Sequence, residues 1–441
     1  MSIESEVLNI IVPPEEECKK VTDTAKKLKS IVEKYLSERN IQAEVKSVGS
    51  VAKGTFLDDP DLDMFILFPE DVPKKELERI GIQAGMDIIN GEMMYAEHPY
   101  TTGFFEGYEV DLVPCYKHDT TENLMSAVDR TPFHTDFILK HSDETLRNEM
   151  RLMKRFMKGI RAYGAEPNIR GFSGYLCEVI TYHYGSFIET VKAASKWKKG
   201  TVLAPVDKGP IIKEPLVVYD PVDSKRNVAS AVHLDTLSKF IIACREYLKS
   251  PSMKFFFPEK RTPYTPSQLK EMIIKDNLSI TVFSFDRPEG EIPENIYAQT
   301  WKTQYSISKK LDTFGFISLR AVNTVTEDRI LMAFETETDT LPSLEKRDGP
   351  PISAESSDNF LRKWSHDMHK VPYIEDGCWH VIADRAFRDI PGMIKREKES
   401  VSVGKAFDKE SMRIITDLDE ICTINPDLIT ELLDPKFPWE I

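Results

Sequence analysis

The sequence lacks the features that mark membrane, secreted and disulfide-rich proteins. Nowhere in its 441 residues is there an apolar run of the roughly 18 residues that a transmembrane helix needs. The six cysteines are scattered and form no C-x-x-C pair, which argues against a zinc site or a disulfide framework. The N-terminal MSIESEVLNIIVPPEEE has no basic segment before its short apolar run, so we expect no signal peptide. These absences predict a cytoplasmic protein with no membrane partner.

Positive charge is also scarce, and its distribution is more informative than its total. The net charge is −14, which taken alone argues against a nucleic-acid-binding protein, because phosphate binding requires Lys and Arg. Residues 147–200 nevertheless hold 11 Lys and Arg against 4 Asp and Glu. A basic zone on an acidic chain is typical of a protein that binds phosphate in one cleft. A solvated helix face would have the same composition, so charge alone leaves both interpretations open.

Length and periodicity predict three parts. At roughly 150 residues per domain, a chain of 441 residues corresponds to about three domains. Residues 1–140 alternate helices and strands in an α+β pattern, and residues 141–258 are mainly helical, with a break near Gly185. The elements predicted in the first part are a helix over 15–39, strands AEVKSVGS and LDMFILF, a helix from Glu76 to Asn90 and a hairpin, GFFEGYEVDLVPCY, that turns near Gly107.

The third part, residues 259–441, carries a strand–helix–strand–strand–helix–strand pattern. This βαββαβ order is that of the ferredoxin-like and RRM-like sandwich, and it predicts an RNA-binding module at about 265–390. Its last two elements are a helix, SSDNFLRKWSHDMHK, and a strand, CWHVIADRAF. The remaining tail is predicted to be helical and acidic.

An acidic cluster precedes the strand LDMFILF. Asp61 and Asp63 are two residues apart, so on a strand they point to the same face. Two like charges on one face repel each other unless a cation lies between them, and Mg²⁺ binds to one or two carboxylates together with substrate phosphates. Asp58 and Asp59 come before Pro60 and are predicted to be turn residues without a chemical role.

The loop before this cluster, GSVAKGT, contains Gly49, Ser50 and Lys53. Backbone amides at such a turn can bind a phosphate, and the lysine can neutralise it. A phosphate loop beside a pair of metal-binding carboxylates is typical of nucleotidyl transfer by a two-metal mechanism. That mechanism uses a third carboxylate on a neighbouring strand, and YEVDLVP offers Glu109 and Asp111, either of which fits by spacing.

The combination GSVAKGT, DLDMFILF and EVDLVP resembles the catalytic signature of the polymerase β-type nucleotidyltransferases. The further segments AEHPYTTG, SAVDRTPFH, RGFSGYLCE and DPVDSKRNVA are similar to the archaeal, class I CCA-adding tRNA nucleotidyltransferases. The resemblance implies a multidomain α+β fold: a nucleotidyltransferase head (1–140), a helical neck that shapes the nucleotide pocket (141–258), and an RRM-like body with a helical tail that binds tRNA (259–441).

The resemblance also implies roles for individual residues. The catalytic, metal-binding carboxylates are Asp61, Asp63 and Asp111, and Asp111 would activate the primer hydroxyl with two Mg²⁺ ions as cofactor. Where relatives carry Glu or Arg, this chain has Asp61 and Lys53, and both substitutions keep the charge. The residues predicted to bind the nucleotide are Gly49, Ser50, Lys53, Thr131, His134, Lys154, Tyr163 and Arg226, the last as the arginine that helps to select the base. His98 is left without a role.

The predicted activity is the template-independent addition of CCA to the 3′ end of tRNA from CTP and ATP, with release of pyrophosphate. The signature alone leaves open a poly(A) or oligoadenylate synthetase, which would add A without using CTP. A non-catalytic RNA-binding scaffold on the same fold is a second alternative, although such scaffolds tend to lose carboxylates that are all present here. A homodimer is left open.

Overall fold

The computed structural model describes residues 2–95, 99–364 and 370–441. The chain separates into two units, one formed by Met1–Lys260 together with Phe437–Ile441 and the other by Arg261–Lys436. No helix in the described part of the chain is both long and apolar enough to cross a membrane.

A five-stranded sheet with the order β1-β2-β5-β4-β3 organises the first part of the first unit. Its central strands β2 and β5 are parallel, and the other neighbours are antiparallel. The elements are α1 (Ile3–Ile11), α2 (Glu15–Glu38), β1 (Glu44–Val48), α3 (Gly49–Lys53), β2 (Leu62–Phe68), α4 (Lys74–Ile89), β3 (Glu92–Tyr95), β4 (Pro99–Phe105) and β5 (Tyr108–Tyr116).

Strand β2 is almost continuously apolar because it is covered on both faces. Met64 and Ile66 pack with helices α2 and α4, whereas Phe65 and Leu67 pack on the opposite face with Val113 of β5. The predicted helix over 15–39 is confirmed, as is the predicted hairpin, which turns at Gly107 with a φ of +88°.

The rest of the first unit is helical and surrounds a large aromatic core. Its elements are α5 (Thr131–His141), α6 (Glu144–Gly159), α7 (Gly174–Tyr184), α8 (Phe187–Ala194), β6 (Thr201–Leu203), β7 (Leu216–Val218) and α9 (Leu234–Lys249). The predicted break at Gly185 is confirmed by its φ of +82°, which ends α7. The division of this unit into a head (1–140) and a neck (141–258) stays a prediction.

The second unit contains two sheets. A four-stranded antiparallel sheet has the order β14-β8-β10-β9, and a three-stranded sheet has the order β11-β13-β12. The elements are α10 (Pro266–Lys275), β8 (Ser279–Asp286), α11 (Pro293–Thr313), β9 (Ser318–Val325), β10 (Arg329–Thr336), β11 (Leu344–Pro351), α12 (Ser357–Trp364), β12 (Tyr373–Glu375), β13 (Cys378–Asp384), α13 (Ile390–Glu397), β14 (Arg413–Ile415), α14 (Leu418–Ile424) and α15 (Pro426–Leu433).

The larger sheet confirms the ferredoxin-like strand order but corrects its last strand. The predicted final strand, CWHVIADRAF, forms β13, which pairs with β11 and β12 in the separate sheet. The position beside β8 is taken by β14. The βαββαβ order therefore runs from β8 to β14, and the smaller sheet is inserted after β10. The predicted helix SSDNFLRKWSHDMHK begins as α12, and its residues 365–369 lie outside the described residues.

Candidate active site

Two of the predicted carboxylates face each other across the central strands. Asp63 of β2 and Asp111 of β5 are direct partners in the parallel register, so their side chains lie on the same face of the sheet. Asp61 lies just before β2, which begins at Leu62, and it is exposed. The charges of Asp61 and Asp63 nevertheless interact, and the predicted shared strand face of these two residues stays a prediction.

Asp61, Asp63 and Asp111 form a group of carboxylates at β2 and β5 that is called the carboxylate edge below. The pKa values of all three are raised. Burial raises the pKa of Asp63 to about 6, and the neighbouring charges of Asp111 and Asp61 add to the shift. Burial and the Glu109 charge also raise the pKa of Asp111, although a hydrogen bond from the Thr102 hydroxyl opposes this. The pKa of Asp61 is raised by partial desolvation of its carboxylate and then by the charges of Glu109 and Asp111. Nearby lysines oppose these shifts, Lys53 and Lys154 at Asp63 and Lys158 at Asp61, but the pKa values of all three carboxylates remain raised.

Gly49 brings the phosphate loop into contact with this edge. Its φ is +72°, and a Cβ built on it would lie 1.7 Å from Oδ2 of Asp63. Only glycine tolerates both conditions. Gly49 and Ser50 begin the short helix α3, and Lys53 ends it. The predicted phosphate loop and the metal-binding carboxylates are therefore in contact.

Lys53 and Lys154 meet at a carboxylate that the sequence analysis did not assign. Glu178 of α7 is fully buried, and it accepts hydrogen bonds at 2.6 Å from Nζ of Lys53 and from Nζ of Lys154. Its Oε1 also accepts from the hydroxyl of Thr55 at 2.6 Å. Burial raises the pKa of Glu178, but the two ammonium groups outweigh it and hold the pKa at about 2. Glu178 is therefore ionised at neutral pH.

A second buried carboxylate connects His134 and Arg226. Oδ2 of Asp220 accepts from Nη1 of Arg226 at 2.9 Å and lies 2.8 Å from Nε2 of His134. Oδ1 accepts from the hydroxyl of Tyr175 at 3.1 Å. The imidazole of His134 stacks on the ring of Tyr175, with centroids 3.8 Å apart. Burial lowers the pKa of His134, an effect that Asp220 opposes.

The remaining predicted residues lie around these clusters. Thr131 begins α5, three residues before His134. The hydroxyl of Tyr163 lies close to Gly174, where a Cβ would be 2.8 Å from it and 3.7 Å from Cε of Lys154. The ammonium of Lys158 lies 5.5 Å from the centroid of the Tyr163 ring. His98 is outside the described residues.

A cavity of about 790 Å³ opens beside Arg226. Its lining includes Arg130 and Asp223, which are joined by an ion pair of 2.9 Å between Nε and Oδ2. The three carboxylates of the sheet edge do not line this cavity, so the carboxylate edge and the cavity are separate parts of the site.

Sequence reasoning missed Glu178, Tyr175 and Asp220. A signal was present for Glu178, since it is a lone acid in the apolar run GYLCEVITY, where a buried charge requires a partner. The sequence around Asp220, VVYDPV, follows an apolar strand in the same way. Neither pattern identifies the cations that pair with these two carboxylates.

The carboxylate edge has the donor chemistry for a divalent cation. Within the described ranges, no group of three or more His, Cys, Asp or Glu side chains is arranged to hold a metal ion by itself. Asp63 and Asp111 are nevertheless a paired, partly buried and repelling set of hard oxygen donors. Mg²⁺ characteristically binds one or two carboxylates and completes its shell with water and phosphate, so these residues fit the ion.

Comparison with known proteins gives matches along most of the chain. Three family models match: Nucleotidyltransferase domain over residues 26–134, tRNA nucleotidyltransferase, second domain over 148–257, and CCA-adding enzyme, C-terminal domain over 277–415. The CCA-adding enzyme of Picrophilus torridus is 37% identical over 385 residues, covering 87% of each chain. The chain belongs to the CCA-adding enzyme family. The CCA-adding enzyme of Methanosarcina acetivorans is 35% identical over 435 residues, covering 96% of this chain and 95% of its own.

This membership confirms the resemblance to the archaeal CCA-adding enzymes and identifies the chain as a tRNA nucleotidyltransferase. The CCA-adding enzyme of Archaeoglobus fulgidus, 37% identical over 383 residues, covers a similar share, 86% of this chain and 85% of its own. The carboxylate edge falls within the matched nucleotidyltransferase domain. Glu178, Asp220 and Arg226 fall within the matched second domain of CCA-adding enzymes.

Proposed function

We propose that this CCA-adding enzyme adds C, C and A in turn to the 3′ end of tRNA, using CTP and ATP and releasing pyrophosphate. The observation that carries the proposal is the pairing of Asp63 with Asp111 beside Gly49, in a chain whose relatives are CCA-adding enzymes over most of its length. The paired carboxylates support metal-dependent nucleotidyl transfer, and the relatives support the addition of CCA to tRNA.

Asp61, Asp63 and Asp111 would hold Mg²⁺. Bound there, the ion would supply Lewis-acid stabilisation of the charge on the reacting phosphates. Asp111 would orient the 3′ hydroxyl of the RNA, because its carboxylate lies on the same sheet face as that of Asp63 and is partly buried. The hydroxyl would lose its proton to the carboxylate of Asp111 as its oxygen forms a bond to the α-phosphorus of the nucleotide and the bond to the leaving pyrophosphate breaks.

The phosphates of the nucleotide would lie against α3 and the lysine cluster. The amides of Gly49 and Ser50 at the start of α3 and the ammonium of Lys53 at its end would be the donors, and Lys154 shares the carboxylate of Glu178 with Lys53. Tyr163 and Thr131 would contact the sugar and phosphates. The base would be read by Arg226 with His134, beside the cavity of about 790 Å³.

The test uses tRNA that ends before the CCA sequence, after the first C and after the second C. Each RNA is incubated with Mg²⁺ and with CTP, ATP or both, and the products are sequenced. We expect C on the first two RNAs and A on the third. Long runs of A without any use of CTP would show a poly(A)-type enzyme, and no addition at all would indicate a non-catalytic scaffold.

A cytoplasmic location and a homodimer are two further proposals. The cysteine pattern supports the location. Sedimentation of the purified protein tests the dimer, which is overturned if the mass at micromolar concentration is that of one chain, 50.5 kDa.

A further inference from the structure

Two buried carboxylates lie away from the carboxylate edge, and both are fully engaged with other protein groups. Glu178 and Asp220 expose 0% and 1% of their surface. A buried carboxylate is stable only where cations and hydrogen-bond donors compensate it. The groups that compensate these two are the same residues that are proposed to bind the nucleotide.

Glu178 fixes the lysine ammonium groups. Nζ of Lys154 has three N–H donors, and three acceptors surround it: Oε1 of Glu178 at 2.6 Å, Oγ1 of Thr55 at 3.0 Å and the carbonyl oxygen of Thr55 at 3.1 Å. Among the described residues, Nζ of Lys53 makes one hydrogen bond, to Oε2 of Glu178, so it has N–H donors left for another ligand. Glu178 thus holds Lys154, whose three N–H donors are all used, and orients Lys53, which has donors left for a ligand.

Asp220 fixes the residues that are proposed to recognise the base. It holds Arg226 and His134 through one oxygen and Tyr175 and the backbone N–H of Val222 through the other. Within residues 2–95, 99–364 and 370–441, the guanidinium of Arg226 donates one hydrogen bond, from Nη1 to Asp220, so it has N–H donors left over. The side chain of Arg226 is one-third exposed, at 35%, and lines the cavity.

Helix α7 links the two sets. Tyr175 and Glu178 are three residues apart on α7 and therefore lie on one face of the helix. The ring of Tyr175, whose hydroxyl bonds to Asp220, has Nζ of Lys53 5.7 Å from its centroid. On this face of α7, Glu178 therefore contacts the lysines that are proposed to bind the triphosphate, and Tyr175 contacts Asp220, which holds the residues proposed to recognise the base.

We propose that Glu178 and Asp220 are positioning residues that divide the recognition of the nucleotide: Glu178 sets the cations for the triphosphate common to CTP and ATP, and Asp220 sets Arg226 and His134 for the base. Neither carboxylate touches the substrate. The proposal rests on the proposed function, and it predicts that the two carboxylates have separable effects on catalysis.

Glu178→Gln tests the phosphate side. Because it removes the charge that orients Lys53, the KM for CTP and the KM for ATP should rise by the same factor, about tenfold or more, as expected for a lost hydrogen bond to a charged group. The KM for tRNA and the choice between C and A should not change. Glu189→Gln is the matched control, because Glu189 forms an exposed ion pair with Lys192 on the neighbouring helix.

Asp220→Asn tests the base side. Arg226 loses its charged partner, so the ratio of kcat/KM for CTP to that for UTP should fall by about tenfold, again the scale of one charged hydrogen bond. Tyr175→Phe removes one of the bonds to Asp220 and should lower the same ratio by a smaller factor. Asp235→Asn, at an exposed carboxylate at the start of α9, is the control.

If Glu178→Gln fails to fold, a double variant still tests whether Glu178 positions Lys53. Lys154→Met combined with Glu178→Gln removes one of the two buried ammonium groups that Glu178 compensates and restores the net charge of the cluster. Lys154→Met alone is the reference, because Lys154 is itself a proposed nucleotide-binding residue, and we expect the double variant to fold with a KM for both nucleotides above that of Lys154→Met. A KM equal to that of Lys154→Met would show that Glu178 acts only on stability and would overturn the proposal.

The outcomes separate this inference from the proposed function. Wild-type protein that adds nothing to truncated tRNA refutes the proposed function, whatever the variants do. Wild-type protein that adds C, C and A, together with variants that match their controls, refutes the inference alone. Equal changes in nucleotide KM and in base choice for both variants would also refute it, since the two carboxylates would then act on one common element.

Discussion

The same chemical group, a carboxylate, occurs in two opposite environments within the first unit. At the carboxylate edge, Asp63 and Asp111 face each other, no described residue forms an ion pair with either, and the pKa of Asp63 is raised to about 6. In the helical part, Glu178 receives hydrogen bonds from two ammonium groups, and its pKa is held at about 2. The difference separates carboxylates that lie against like charges from carboxylates whose cations the fold supplies.

The largest expected effect comes from removing a carboxylate at the edge. Asp63→Asn should lower turnover by about 10³-fold or more, since a metal-held charge stabilises the transition state by several kcal/mol. The free energy of unfolding should stay the same or rise, because a repelling charge is lost. Turnover on truncated tRNA and urea unfolding measure the two quantities. Asp58→Asn in the exposed turn is the control, and loss of stability in Asp63→Asn would contradict the contrast.

Removing the compensated carboxylate should have the opposite effect on stability. Glu178→Gln leaves the ammonium of Lys154 buried without its counter-ion, which costs about 3–5 kcal/mol in comparable buried pairs. Urea unfolding measures this loss. The exposed pair between Glu189 and Lys192 should contribute at most about 1 kcal/mol, so Glu189→Gln gives the baseline. Equal losses in the two variants would mean that burial does not decide the contribution.

Gly49→Ala tests the contact between the phosphate loop and the edge. The added methyl would displace the carboxylate of Asp63, and a misplacement of about 1 Å at a reacting centre can lower the rate by about 100-fold. Gly107→Ala is a matched control: it also has a positive φ, +88°, but nothing lies within 4 Å of the added Cβ. Equal rates for the two variants would show that only the backbone conformation matters.

The smallest expected effect is a difference in pH dependence without divalent metal. The folded pKa of Asp63 lies above its ordinary value of 3.8, so the free energy of unfolding should fall as pH rises from about 4 to 6. The folded pKa of Glu178 lies below 4.5, so its stabilisation should be lost as pH falls from about 4.5 to 2. Urea titrations in EDTA measure both, and Asp63→Asn should reduce only the upper arm, to which Asp61 and Asp111 also contribute. Added Mg²⁺ that leaves the upper arm unchanged would contradict a metal site at the edge.

The elements could be predicted from the sequence because their patterns are local. The apolar run after Asp61 predicts β2, and the break at Gly185 follows from the backbone freedom of glycine. Pairing is not local, so the last strand of the larger sheet was predicted wrongly. Strand β14 has only three residues, Arg413–Ile415, too few for a periodic pattern, whereas β13 has a strong one.

In the site, too, residues that lie close together in the sequence could be predicted, whereas pairs that are formed by the packing of helices could not. Asp63, Gly49 and Lys53 lie in one short segment whose spacing indicates metal and phosphate chemistry. Glu178 and Asp220 are isolated in the sequence, and several of their partners are far from them along the chain: Lys53 is 125 residues from Glu178 and His134 is 86 residues from Asp220, although Arg226 is only 6 residues from Asp220. A charge of this kind can be recognised as needing compensation, but the group that compensates it is determined only by the packing of helices.

The return of the chain after Lys436 has a consequence for how the protein comes apart. Residues 437–441 belong to the first unit, where the ring of Trp439 stacks on Phe255 with centroids 5.3 Å apart. The second unit is therefore joined to the first by two covalent crossings, at residues 260–261 and 436–437. A protease that cuts at 436–437 leaves both units on one continuous chain. A cut at 260–261 leaves residues 1–260 attached to the rest only through non-covalent contacts with residues 437–441, so the two crossings differ in what a single cut does.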